Sequence, residues 1–240
     1  ARALGARRGE PRASGAKALF SGPSGVGKTL AARGIAHALR RPLYRVDLAT
    51  VVSKWVGETE KNLRHAFDAA EDVGAVLLFD EGDALFGKRG EVGRGSDRYA
   101  NMEVSYLLQA IESFDGTLVV TTNRRGDLDK AFERRFDVAI DFAPPGEALR
   151  VAIWRQELGE VGAELPEFFF RRLGQAELTG GNIASAARLA RVYALDAGEA
   201  RLSAAVVQRA VRAEFLKLGS LVHANGWSEE PSELDFEEGE

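Results

Sequence analysis

Short apolar runs alternate with longer segments of helical periodicity from Lys17 onward. Ala18, Leu19 and Phe20 open the series, a helical pattern follows over 30–39, and residues 43–48 return to a short apolar stretch. The order then repeats: a helical pattern at 62–71, an apolar run at 75–79, a helical pattern at 99–114, and two further short runs at 117–121 and 138–142. Apolar runs of a few residues have strand length, whereas recurrence every three or four positions marks a helix buried along one face. Strands separated by helix-length segments need crossover connections, which return the chain to the same end of the sheet and make neighbouring strands parallel. The pattern therefore predicts an α/β fold, a parallel five-stranded sheet flanked by helices.

After Pro144 and Pro145 the strand signal stops. Four helical patterns follow, at 146–158, 166–173, 181–197 and 203–218, and predict a small separate helical subdomain. Residues 1–16 are rich in Arg, Gly and Ala without apolar periodicity and read as a linker or junction. The chain opens on Ala1, so it is expected to be a segment of something longer. From Gly219 onward Asp and Glu accumulate with no Lys or Arg, so residues 219–240 read as an acidic tail without fixed structure. The expected division is thus 1–16, 17–145, 146–218 and 219–240.

Composition narrows the function classes. The hydrophobic fraction of 45% and the charged fraction of 28% are those of an ordinary globular protein, and no apolar run is long enough to span a membrane. A net charge of −4 disfavours the broad basic surface that nucleic-acid binding needs. The absence of cysteine excludes disulfides and thiolate metal sites and makes a cytoplasmic location the simplest expectation.

The most specific chemistry lies at Gly22-Pro23-Ser24-Gly25-Val26-Gly27-Lys28-Thr29, a phosphate-loop pattern placed between a predicted strand and a predicted helix. Glycines let the backbone wrap closely around phosphates, and successive N–H groups at the helix start face the negative oxygens. Lys28 supplies a point charge toward the terminal phosphates, and the Thr29 hydroxyl can hold magnesium. The candidate nucleotide-binding residues run from Gly22 through Thr29 to Leu30. A second element, Ala75-Val76-Leu77-Leu78-Phe79-Asp80-Glu81, is an apolar run ending in two carboxylates. A buried strand delivers such groups to the carboxyl edge of the sheet, where open α/β sheets bind ligands. Asp80 is placed to hold the magnesium shell with Thr29, and Glu81 to polarise the attacking water.

With these pieces the chain resembles the AAA module of the AAA+ superfamily, in the pattern of katanin, spastin and the ATPase that disassembles ESCRT filaments. The resemblance covers about 18–218 and rests on 21–29, Val51-Val52-Ser53-Lys54-Trp55-Val56-Gly57-Glu58, 79–89, Thr121-Thr122-Asn123 and 128–136. It implies a P-loop NTPase fold whose helical subdomain acts as a lid, with ATP and Mg2+ as cofactors. It implies that Asn123 is the first sensor of the γ-phosphate and that Arg134 and Arg135 are arginine fingers reaching a neighbouring subunit's site. Such fingers require a homo-oligomer, expected to be a hexameric ring. The resemblance further implies that Lys54, Trp55 and Val56 form a pore loop gripping a polypeptide substrate, with adaptor proteins as possible partners, and that the glycine-rich 87–98 forms a second pore loop. Ala184 stands where many relatives carry a second-sensor arginine, leaving Gly180, Gly181 and Asn182 beside the adenine or ribose. The leading expectation is an ATP-driven remodeller of proteins. A nucleotide-dependent switch or assembly scaffold, and a DNA-remodelling or loader protein, are the alternatives.

Overall fold

The computed structural model describes residues 15–48, 58–83, 96–123 and 130–227, with residues 96–104 and 130–131 described by their backbone alone. Two compact units emerge. The first takes in the described residues up to Pro23 together with Lys28–Phe142, and the second takes in Ser24–Gly27 with the residues from Ala143 onward.

The first unit is built on five parallel strands: β1 (Lys17–Ser21), β2 (Leu43–Asp47), β3 (Val76–Asp80), β4 (Leu118–Thr122) and β5 (Val138–Asp141), in the order β2-β3-β4-β1-β5. Between them run α1 (Lys28–Ala38), α2 (Glu58–Asp72), α3 (Ser96–Ser113) and the short α4 (Lys130–Glu133). Strand side chains point alternately to opposite faces, and the core is divided accordingly. Leu19, Leu77, Phe79, Leu118 and Val120 pack with Leu63, Phe67, Leu107 and Ile111 of α2 and α3. Phe20, Val76, Leu78 and Val119 face the other way and pack with Ala32 and Ala36 of α1. This two-faced burial explains why β3 and β4 read as continuous apolar runs: every residue in both is buried. The edge strand β5 differs, with all four residues exposed despite the apolar Val138 and Ile140.

The second unit is helical: α5 (Glu147–Leu158), a 3-10 turn (Gly159–Gly162), α6 (Glu167–Gln175), α7 (Gly180–Asp196), α8 (Ala204–Lys217) and α9 (Leu221–Asn225). Its own core gathers Trp154, Phe169, Phe170, Leu173, Val207 and Phe215 around the small side chains Ala186, Ala187, Ala190 and Ala194 of α7. Whereas the sequence pattern suggested a tail from Gly219, the described chain continues as α9. Trp227 is buried beyond it, under the guanidinium of Arg172. Residues 228–240 lie outside the described residues.

Candidate active site

The strand order decides where the chemistry gathers. β3, β4 and β1 are neighbours and parallel, so their carboxyl ends bring Asp80, Thr122 and Ser21 to one edge of the sheet, each followed by a predicted site residue: Glu81, Asn123 and Gly22. Gly22 has φ 137°, a backbone that side-chain-bearing residues rarely adopt, and a Cβ there would stand 2.2 Å from the Phe142 carbonyl oxygen. The chain can turn at this strand exit only without a side chain.

Lys28 opens α1 and is buried. Its ammonium donates to the carbonyls of Gly22 at 2.6 Å and Pro23 at 2.8 Å, and to Asn123 Oδ1 at 2.9 Å. Burial lowers its pKa from the ordinary lysine value, an effect partly offset by the nearby carboxylates of Asp83 and Asp80. Thr29 follows, and its hydroxyl donates to both carboxylate oxygens of Asp80, at 3.1 and 3.3 Å. Asp80 is only 5% exposed and is tightly held. The Thr121 hydroxyl donates to its Oδ1, while Arg45 of β2 donates to its Oδ2 from Nε and Nη2, both at 2.9 Å. Three neighbouring elements, α1, β4 and β2, thus converge on one carboxylate of β3.

Glu81, the next residue, is exposed and has φ 59°. A left-handed backbone at a residue with a long side chain carries strain that the surroundings must hold in place. Gly82 N–H donates to Thr121 O at 2.8 Å and Glu81 N–H to Thr121 Oγ1 at 3.3 Å, which fasten the strand exit to β4.

Of the other predicted residues, Pro23, Ser24 and Gly25 are exposed, Val26 and Gly27 are half-buried, and Leu30 projects from α1 at 70% exposure. Gly181, within the second unit, donates its N–H to Gly25 O at 2.8 Å, so the loop's apex and the start of α7 meet backbone to backbone. Thr179 caps that helix, with Asn182 completing a reciprocal capping box. Arg134 is exposed, and Arg135 is paired with Glu112 of α3 at 2.5 Å. Lys54, Trp55 and Val56 lie outside the described residues.

Three contributors are assigned no site role from the sequence: Arg45, Thr121 and Asp83. Asp83 accepts from Asn123 N–H at 2.9 Å and from Asn123 Nδ2 at 2.8 Å, and also from the Thr122 hydroxyl. Its only local signal is a third carboxylate in Asp80-Glu81-Gly82-Asp83, and that of Arg45 is a charge inside the apolar run 43–48.

Residues 18–144, more than half of the chain, match the family described as ATPase family associated with various cellular activities (AAA). The chain belongs to the AAA family. Among AAA relatives, an uncharacterized AAA family ATPase of Sinorhizobium fredii is 40% identical over 135 residues, covering 55% of this chain and 40% of that protein. The 26S proteasome regulatory subunit 8 homolog of Encephalitozoon cuniculi is 29% identical over 214 residues, covering 85% of this chain and 54% of that protein. Vacuolar protein sorting-associated protein 4B of Mus musculus is 34% identical over 161 residues, covering 65% and 36%. The chain spans about half or less of the length of these relatives. As an AAA ATPase domain it carries the expected P-loop NTPase fold, and among the described residues no helix is long and apolar enough to cross a membrane.

Proposed function

We propose that this chain hydrolyses ATP with magnesium as one subunit of a cytoplasmic ring, expected to be a hexamer, and uses the turnover to remodel or thread a protein substrate. The observation that carries the reading is the convergence of Lys28, Thr29, Asp80 and Asn123 on one sheet edge, where Lys28 is hydrogen-bonded to Asn123 and Thr29 to Asp80.

Each side chain then has a role. Residues 22–29 wrap the phosphates, with Lys28 turning its ammonium from the Gly22 and Pro23 carbonyls to the β- and γ-phosphate oxygens. Gly181, beside Gly25, faces the base or ribose. The Thr29 hydroxyl and the Asp80 carboxylate are hard oxygen donors held 3.1 Å apart. That pair suits magnesium, which takes one or two protein ligands and fills its shell with water and phosphate oxygens. Among the described residues no cluster of three His, Asp or Glu side chains forms a self-sufficient metal cage, consistent with an ion that arrives with the nucleotide. When bound, magnesium neutralises charge on the phosphates.

Glu81 accepts a proton from the attacking water as its oxygen bonds to the γ-phosphorus, and the bond to the β-bridging oxygen breaks to release ADP. Asn123 orients that water against the γ-phosphate. Arg134 and Arg135 act on the neighbouring subunit's nucleotide, a contribution on the order of 10³–10⁵ in rate where such fingers have been measured. Arg135 must leave Glu112 to do so. Lys54, Trp55 and Val56 grip an extended polypeptide by stacking and apolar contact, with adaptor proteins conferring choice of substrate. The names of two relatives, a proteasome regulatory subunit homolog and a protein sorting factor, support a protein substrate over nucleic acid.

The test is ATP turnover against protein concentration, with mass followed by light scattering, for the parent, Glu81→Gln and Arg135→Ala. Specific activity is expected to rise steeply with assembly, and mixing the two inactive variants is expected to restore part of it, because a mixed interface joins an intact Glu81 to an intact Arg135. Turnover that is independent of concentration would refute the shared site.

A further inference from the structure

Asn123 is held on two sides by groups of opposite hydrogen-bonding character. Its Oδ1 accepts from the buried Lys28 ammonium at 2.9 Å, and its Nδ2 donates to Asp83 Oδ2 at 2.8 Å. The same carboxylate takes the Asn123 backbone N–H at 2.9 Å and the Thr122 hydroxyl, so the end of β4 is fixed to Asp83 through both backbone and side chain.

A carboxamide has two ends of nearly equal size and opposite chemistry: an oxygen that only accepts and a nitrogen that only donates. Left to itself it can turn over at little steric cost. An ionised carboxylate has no proton to donate and an ammonium has no lone pair to accept with, so Asp83 and Lys28 together permit a single orientation, with oxygen toward Lys28 and nitrogen toward Asp83. One Asn123 N–H and a lone pair of Oδ1 then remain for a water or a phosphate oxygen beside Lys28.

We propose that Asp83 is a positioning residue for ATP hydrolysis: by holding the backbone and side-chain N–H groups of Asn123, it fixes which end of that amide meets the attacking water. This rests on Asn123 acting as proposed above. Asp83 touches neither the nucleotide nor the water. It acts through Asn123, in contrast to Glu81, two residues earlier, which acts directly.

Asp83→Asn in the full chain is the informative substitution. The new amide oxygen can still accept the Asn123 backbone N–H and keep the strand end in place. Its NH2 can now donate to Asn123 Oδ1, so both amide orientations become available. The expected result is a fall in kcat on the order of 10- to 100-fold, the scale at which small misplacements slow an oriented reaction. Nucleotide Kd, measured with a fluorescent ATP analogue, should change far less than kcat, because the loop is unaltered and Lys28 keeps its bonds to Gly22 and Pro23, losing only the charge of Asp83 nearby. Asp83→Glu, which retains an acceptor-only group, should recover part of the rate.

A double-mutant cycle separates positioning from mere fastening. If Asp83 works through Asn123, then Asp83→Asn combined with Asn123→Ala is no slower than Asn123→Ala alone. Multiplication of the two losses overturns the inference while leaving the role of Asn123 intact. So does an Asp83→Asn protein that loses nucleotide affinity and melting temperature together while its kcat is unchanged. An Asn123→Ala protein that turns over like the parent overturns both the sensor role and the role of Asp83.

Discussion

At the scale of single residues, the Asp80 carboxylate shows how much of the site depends on partners distant in sequence. It is nearly buried, and the only cation bonded to it among the described residues is Arg45, itself about half exposed. Substituting Arg45→Met removes that charge but keeps much of the side chain's apolar stem. The nucleotide-free protein is then expected to lose about 1 kcal/mol, a modest figure because exposed guanidinium groups are well screened. In a chain of this size that lowers the melting temperature by roughly 2–4 °C, which differential scanning calorimetry would read. An unchanged melting temperature would mean that the hydroxyls of Thr29 and Thr121 satisfy Asp80 by themselves. Lys28, Thr29 and Asp80 stand out in the sequence because each ends or opens a local pattern, a glycine-rich turn or an apolar run, whereas Asn123 is singled out through the family resemblance. Arg45, Thr121 and Asp83 do not stand out, because their contacts span 35, 41 and 40 positions along the chain and exist only once strand order and register are set. Local periodicity carries no information about which strand lies beside which.

Among the elements, the buried strands and amphipathic helices were readable from apolar spacing, whereas edges and ends were not. β5 carries the alternation of a strand yet is exposed along its length, and α9 was hidden behind the acidic composition that follows it. The start of α7 is set by a network that spacing could not reveal. Asn182, in its capping box, donates to Glu214 of α8 at 2.8 Å, and Lys217 donates to both oxygens of Glu214 at 2.9 Å. Burial pushes the Glu214 carboxyl up, but hydrogen bonds from Lys217, Asn182 and Ser185 outweigh it and leave the pKa below the ordinary 4.5. A carboxyl whose pKa is lowered on folding stabilises the fold above its unfolded value and ceases to do so as pH falls through its folded one. The parent is therefore expected to melt higher than Glu214→Gln at pH 7, with the gap closing as pH drops below about 4.5. Thermal melts followed by circular dichroism across that range would check it, and a gap independent of pH would place the benefit in packing instead.

For the whole molecule, the two units keep separate cores, and the chain leaves the first at Pro23, contributes Ser24–Gly27 to the second, and returns at Lys28. That crossing falls in the middle of the loop the sequence singled out most clearly. Stability and activity are set against each other just beyond β3, where Glu81 is held in a left-handed backbone. Glycine adopts that conformation freely, at some cost in unfolded-chain entropy, so Glu81→Gly is expected to gain up to about 1 kcal/mol of stability while ending hydrolysis. Calorimetry alongside a turnover assay would register both effects. On the role proposed for Glu81, the protein is built below its own ceiling of robustness, and selection for heat resistance alone would discard the proposed catalytic base. A screen for hardier variants of this chain has to be run with turnover as a second criterion, or position 81 will be among the first it loses.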